Sequence, residues 1–270
     1  ADAGGCELQH DFAAVVPSVV IAKMIGVEEE HIPQFRGWTE SFLEITGPED
    51  YQEAAGKIYG LFASLLAARR AEPRDDLMTA LIDAEVDGQR LTDEELLGFC
   101  LLLILAGNDT TSSLIGSGTV LLARNPDQRA RLAADPSLWP NAIEEMNRIE
   151  SPTQVLPRTT MTDVELHGVT IPAGSRVMLI WGSANHDERE FPDPERFDVT
   201  RTVTRHLAFG HGIHYCLGAN LARLEARVAF QEWHARFPDY ALAGEPERIV
   251  SIWARAYRRV PITVSPSGGR

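Results

Sequence analysis

Cysteine is scarce in this chain: Cys6, Cys100 and Cys216, far apart, are the only three in 270 residues. They form no disulfide framework, and the expectation is a reducing, cytoplasmic setting. Positive charge is also short. The formal net charge of −14 argues against binding nucleic acid or an anionic membrane surface. No run approaches the eighteen or so uninterrupted apolar residues of a membrane span, and no charged-then-apolar leader opens the sequence. Internal repeats and low-complexity segments are missing too. What is there is an ordinary globular composition, 44% hydrophobic and 24% charged, in a chain long enough to bury a large core.

The first half has helical periodicity. Apolar residues recur at helical spacing over Asp11–Ile25, with Pro17 expected to bend the helix. Gln34–Ile45 places Phe35, Trp38 and Phe42 on one stripe, and Tyr51–Arg70 carries another. A short helix is expected over Asp75–Ala84, before a turn at Asp87-Gly88. Thr92-x-x-Glu95 is a capping box. From it a helical pattern runs about thirty residues to Asn125-Pro126, about 48 Å and long enough to cross a domain. Two shorter helices follow, one after Asp127 and one over Asn141–Glu150. Beyond Ser151-Pro152 the texture changes to short β-branched strands: Asp163–Leu166, a His167-Gly168 turn, then Thr170–Trp181. A proline-rich irregular stretch leads into a helix over Leu217–Phe237, and strands return at Tyr240–Leu242 and Val260–Val264. Many helices with small sheets predict a mainly α, α+β fold.

The most specific segment is Phe209-Gly210-His211-Gly212-Ile213-His214-Tyr215-Cys216-Leu217-Gly218. A single thiol stands just before a helix, whose N–H groups and positive dipole end favour a thiolate. Gly210, Gly212 and Gly218 permit tight turns and a close approach to a flat partner, and Phe209 can shield the sulfur. A shielded, hydrogen-bonded thiolate suits a haem iron engaged in oxygen cleavage. Two other readings stay open: a buried structural cysteine, and a zinc site of His211, His214 and Cys216, which lacks a fourth ligand.

Further constellations gain meaning beside that loop. In Ala106-Gly107-Asn108-Asp109-Thr110, Gly107 weakens the helix and Thr110 can bond back one turn. Together they would permit a local widening, with Asp109 and Thr110 handling protons; the alternative is a buried polar patch or an outward-facing Asp. Glu145-x-x-Arg148 lies on one helix face, and Arg196 offers a second guanidinium that would tie this helix to the irregular stretch. Arg158 and His214 carry side chains able to pair a carboxylate, against the plainer reading of solvated loop residues.

Phe209, Gly212, Cys216 and Gly218 form a Phe-x-x-Gly-x-x-x-Cys-x-Gly pattern that resembles the cysteine-ligand loop of the cytochrome P450 family, of bacterial type. The Ala106–Thr110 run resembles its oxygen-activation segment, and Glu145, Arg148 and Arg196 resemble its structural triad. The resemblance extends through Asp163–Gly174, Ala184–Asp187 and Leu221–Glu225. It implies one haem-binding monooxygenase domain over 1–270, with the family's N-terminal strands and helices absent. It implies haem b (iron protoporphyrin IX) with Cys216 on the metal and Phe209, Gly210, His214, Gly218, Arg158, Ala106 and Gly107 around it. Asp109 and Thr110 would be catalytic, and O2 the cosubstrate. Val155, Leu156, Ala106, Ile252 and Trp253 would line an apolar pocket for a steroid, terpenoid, fatty acid or polyketide. No flavin or iron–sulfur motif occurs in the chain, so electrons would come from a ferredoxin and its reductase, with Arg223 a docking cation. Ile149 and the glycine-free run Trp253-Ala254-Arg255-Ala256-Tyr257 depart from the family pattern. The rivals are a peroxide-driven peroxygenase, against which Asp109-Thr110 argues, and a non-catalytic haem- or zinc-binding protein.

Overall fold

The computed structural model describes residues 4–41 and 48–265. Phe42 and Ile45, at the end of one expected helix, and Ala1–Ala3 lie outside these. The chain divides into two compact units, Phe12–Ser112 and Ala1–Asp11 with Ser113–Arg270.

The first unit is helical: α1 (Val15–Ile25), α2 (Ile32–Ser41), α3 (Pro48–Ala71) and α4 (Leu77–Asp83). A two-residue hairpin, β2 (Glu85–Val86) and β3 (Gln89–Arg90), follows. β1 belongs to the other unit. Asp87 and Gly88 turn the hairpin with φ of 52° and 77°, the positive values that a tight hairpin turn requires. Then α5 (Asp93–Arg124) begins. Its capping box forms as the sequence predicts: the Glu95 N–H donates to Thr92 Oγ1 at 3.3 Å and the Thr92 N–H to Glu95 Oε2 at 2.8 Å. The apolar stripes become the core, with Ile58 and Phe62 of α3 beside Leu96, Cys100 and Ile104 of α5. Each such side chain contributes roughly 1.5–3 kcal/mol by leaving water. The expected helix over Asp11–Ile25 changes type ahead of Pro17. A π-helical turn over Gln9–Ala13 comes first, so the proline falls in the first turn of α1, where its missing N–H costs nothing. Gly26 ends α1 at φ 98°, and a Cβ there would stand 2.2 Å from the Asp76 carboxylate. Asp76 in turn caps α4 through the Thr79 N–H at 2.9 Å and pairs with buried Arg69.

Among the described residues α5 is the one helix long and apolar enough to cross a membrane. Buried Asn108, Ser112, Ser113, Ser117 and Thr119 along it are those of a core helix in a folded protein.

In the second unit β1 (Gly5–Glu7) pairs with β11 (Pro261–Ser265), which pairs with β8 (Asp239–Leu242), all antiparallel. Three two-stranded ladders accompany this sheet: β4 (Val155–Thr159) with β7 (Arg176–Ile180), β5 (Val164–Leu166) with β6 (Val169–Ile171), and β9 (Glu247–Arg248) with β10 (Tyr257–Arg259). The expected strand over Thr170–Trp181 is broken, because Pro172 has no N–H to donate and Gly174 turns the chain at φ 79°. The helices are the end of α5, α6 (Pro126–Ala134), α7 (Trp139–Ile149), the single turn α8 (Trp181–Ala184) and α9 (Ala219–Arg236). Trp139 of α7 stacks on Phe230 of α9 with ring centres 5.5 Å apart. Gly118 lets α5 approach both, since a Cβ there would lie 2.5 Å from Phe230 and 2.7 Å from the Met146 sulfur. The fold is mainly α with small sheets, as expected.

Glu225 of α9 is buried, with Oε2 lacking a hydrogen-bond partner among the described residues. Burial pushes its carboxyl up to about 7, above its unfolded value. The protonated form therefore supports the fold at low pH, and that support is lost as pH rises through 7. Glu225→Gln is expected to raise the Tm at pH 8 and leave it nearly unchanged at pH 5. Thermal melts at the two values check this; equal shifts at both would refute it.

Candidate functional site

The cysteine loop is held from beneath. The Gly210 N–H donates to the Leu207 carbonyl, the Tyr215 N–H to Gly212 and the Cys216 N–H to Phe209, at 2.9, 3.0 and 2.9 Å. Gly210 and Gly212 adopt φ of 72° and 71°, where other residues are strained. A 3-10 turn over Gly212–His214 precedes the thiol, and α9 starts three residues after it. Cys216 is exposed, whereas Cys100 is buried and its thiol is pushed up by desolvation to about 11. Cys6 is half-buried in β1 and burial likewise pushes its thiol up, so Cys216 is the thiol placed to act as a ligand.

The loop exposes large apolar side chains, Ile213 at 98% and Leu217 at 77%, beside His211 and His214. Gly218 has an ordinary φ of −84°, and a Cβ on it would meet nothing within 4 Å. Neither backbone nor neighbours demand glycine there, whereas a flat group lying against the loop would. No group of three or more His, Cys, Asp or Glu side chains able to hold a metal ion occurs among the described residues, so His211, His214 and Cys216 do not converge as a zinc site. An exposed sulfur on a glycine-lined loop that also exposes Ile213 and Leu217 fits haem.

Behind the loop Glu144 of α7 organises a network that the sequence reading missed. Its carboxylate accepts from Arg223 Nε and Nη2 at 2.6 and 2.8 Å and contacts His206 Nε2 at 3.0 Å. Burial alone would raise the Glu144 carboxyl, but these partners outweigh it and hold it at about 2. Arg223 also lies 4.4 Å over the Phe209 ring. The guanidinium proposed as a docking cation is therefore already paired and stacked.

Glu145 and Arg148 are buried and form a two-bonded ion pair at 2.7 and 2.9 Å. Arg196 is not the second guanidinium: its side chain is 60% exposed and sits 3.6 Å from Asp198. Arg201 takes that place, its Nε donating to Glu145 Oε1 at 3.1 Å. Arg196 contributes only its backbone carbonyl, which accepts from Arg201 Nη2 at 3.1 Å. The cause is the chain's path: it turns at Asp193, φ 49°, and the Asp198 N–H itself donates to Glu145 at 3.2 Å. Arg201, three residues on, then faces inward.

In the helical unit the Ala106–Thr110 segment remains α-helical, without the expected widening. The Thr110 hydroxyl donates to the Ala106 carbonyl at 2.7 Å. Asn108 is buried; its Oδ1 accepts from the Ser18 hydroxyl at 2.6 Å and its Nδ2 donates to Asp109 at 3.3 Å. Burial raises the Asp109 carboxyl to about 6, against the opposing Asn108 bond. The position before Asp109 thus orients that carboxylate.

Arg158 projects from β4, with its hydrogen bond among the described residues going to the Pro157 carbonyl at 2.9 Å, and His214 is exposed. Both are available to bind carboxylates. Of the expected pocket residues, Val155 and Ile252 line one cavity of about 490 Å³, which also takes in Met178 and Ile180 of β7. Leu156 and Trp253 stay outside its lining. The 251–255 turn is tied to the start of β4 by the Gln154 N–H to the Trp253 carbonyl at 2.8 Å and the Arg255 N–H to Pro152 at 2.9 Å.

A helical fold with small sheets, carrying an exposed thiol on a glycine-lined loop braced by buried arginine–glutamate pairs, defines a haem-thiolate class of protein. The family model described as Cytochrome P450 matches residues 43–136 and 137–237. Cytochrome P450 107B1 of Saccharopolyspora erythraea is 43% identical over 260 residues, 95% of this chain and 64% of that protein. Vitamin D(3) 25-hydroxylase of Pseudonocardia autotrophica is 42% identical over 97% of this chain and 66% of its own length. Cytochrome P450 CYP109Q5 from Chondromyces apiculatus superposes with a TM-score of 0.93 at 40% identity, covering 98% of this chain and 68% of that one. CYP109E1 from Bacillus megaterium in complex with testosterone gives 0.93 at 34% identity, covering 97% and 73%. The chain belongs to the cytochrome P450 family, and it spans about two thirds of the length of these curated relatives.

Two outcomes are expected. Arg201→Ala, which breaks a buried ion-pair cluster, should cost about 3 kcal/mol, and Arg196→Ala less than about 0.5 kcal/mol, as read by urea denaturation. Asn108→Leu, which removes a donor to the charged form, should raise the Asp109 carboxyl above its present value, as read by carboxyl NMR titration.

Proposed function

We propose that the protein is a haem-thiolate monooxygenase, inserting one atom of O2 into a C–H bond of a hydrophobic small molecule, with electrons from an external ferredoxin and its reductase. The observation that carries this reading is the exposed Cys216 thiol on a loop whose glycines leave room for a flat cofactor. When bound, haem b supplies the oxygen chemistry.

The chain's own residues have separable tasks. Cys216 is the metal ligand, and Phe209, held under Arg223, keeps water from one side of the sulfur. Arg158 and His214 donate to the propionates; Ala106 and Gly107, small residues of α5, give the cofactor room. Asp109 holds a proton at a carboxyl poised near neutrality, where proton transfer in either direction is cheap. The Thr110 hydroxyl spends its hydrogen on Ala106, so its oxygen is an acceptor until the hydroxyl turns. Such a pair can meter protons one at a time. Val155 and Ile252, with Leu156 and Trp253 nearby, present apolar surface to substrate. One relative carries the name steroid C26-monooxygenase and a solved neighbour is in complex with testosterone, which supports a hydrophobic substrate class.

The test is an absorption spectrum of the reduced, CO-bound protein. A far red-shifted Soret band that is lost in Cys216→Ser is expected; a band typical of histidine ligation, unchanged in the variant, would overturn the assignment.

A further inference from the structure

The cavity beside β4 and β7 is not uniformly apolar. Its volume of about 490 Å³ lies in the range of small-molecule sites, and Val155, Met178, Ile180 and Ile252 supply its greasy wall. Arg248 and Arg255 also line it. Both guanidiniums bond the same buried carboxylate, Glu150. Arg255 uses Nε and Nη2 at 2.6 and 3.1 Å, and Arg248 uses Nη2 at 3.0 and 3.1 Å. Two cations on one anion leave a unit of positive charge.

That charge is not equally available from the two arginines. Arg248 lies over the Tyr257 ring at 4.2 Å, and its Nη1, though without a hydrogen-bond partner among the described residues, is buried. Arg255 is different. Its side-on pairing with Glu150 occupies Nε and Nη2, no bond from Nη1 occurs among the described residues, and its side chain is 41% exposed. The position is also held firmly, because the backbone of Arg255 is bonded to Pro152 and its guanidinium is fixed by the Glu150 fork. Planar, preorganised donors of this kind match a carboxylate. Arg255 sits in the glycine-free run between Trp253 and Tyr257 that sets this chain apart from the family pattern.

Building on the substrate-pocket reading above, we infer that Arg255 anchors the carboxylate of an amphipathic acyl substrate whose hydrocarbon chain lies along Val155, Met178, Ile180 and Ile252. Neutral polycyclic molecules could fill the apolar wall but would leave this donor without an anionic partner.

The test compares dodecanoate with dodecanol, which has the same chain and no charge, by calorimetric titration of the full chain. Dodecanoate is expected to bind about tenfold more tightly, with an affinity that falls as salt is added, while dodecanol is indifferent to salt. Arg255→Gln should bring the two affinities together by weakening dodecanoate alone. If Arg255→Gln does not fold, Arg255→Lys keeps the charge and loses the fork, and should weaken dodecanoate severalfold. Equal binding of both ligands by the unaltered protein would overturn the anchor and leave the apolar pocket standing. So would a preference for dodecanoate that survives either variant intact. Failure of both ligands to bind would overturn the pocket reading itself.

Discussion

The buried carboxylate of Glu145 fixes most of what makes the second unit work. It accepts from Arg148, from Arg201 and from the Asp198 N–H, and its arginines reach outward from there. Arg148 Nη1 donates to the carbonyls of Asn185 and Pro194 at 2.9 and 2.8 Å, while Arg201 donates to those of Pro192, Asp193 and Arg196. A stretch with little regular secondary structure, too rich in proline to build its own ladder, thereby gains partners for its backbone. Asn185 extends the same scaffold: its side chain accepts from the Leu207 N–H at 2.7 Å and donates to Ser151 at 2.7 Å. Charge-assisted bonds thus position this stretch together with the buried side chains of Phe191, Phe197 and Val199.

A buried cluster of this kind is costly to desolvate, and replacing it by hydrocarbon is often neutral for stability. Its value here is geometric. Hydrocarbon could fill the volume but could not satisfy the buried Asn185 carbonyl, expensive to leave unpaired, nor link it to the carbonyls of Pro192, Asp193, Pro194 and Arg196. The guanidinium fork does so with two side chains, and it leaves Cys216 at the end of a braced segment.

Features set by local chemistry were legible in the sequence. The Thr92–Glu95 box, the Asp87-Gly88 and His167-Gly168 turns, the core stripe of α3 and the spacing of Phe209, Gly212, Cys216 and Gly218 each depend on residues a few positions apart. Features set by the path of the chain were not. Choosing between Arg196 and Arg201 required knowing where Asp193 turns the backbone, and both arginines stand in the same aperiodic stretch. Glu144 was hidden beside Glu145, because a pattern built on Glu-x-x-Arg attends to only one of two adjacent carboxylates. Where Pro17 falls in its helix was likewise set by the path of the chain, since the π-helical turn at Gln9–Ala13 places it in the first turn of α1. Val155 and Ile252 meet in one cavity through the bonds from Gln154 to Trp253 and from Arg255 to Pro152, pairings across about a hundred residues that no spacing reveals.

The two glutamates of α7 point about 100° apart around the helix axis, one bracing the cysteine loop through Arg223 and His206, the other bracing the proline-rich stretch through Arg148 and Arg201. Consecutive letters of the sequence thus serve as separate mooring points. Inserting or deleting a single residue just ahead of them would rotate both at once and loosen both moorings together.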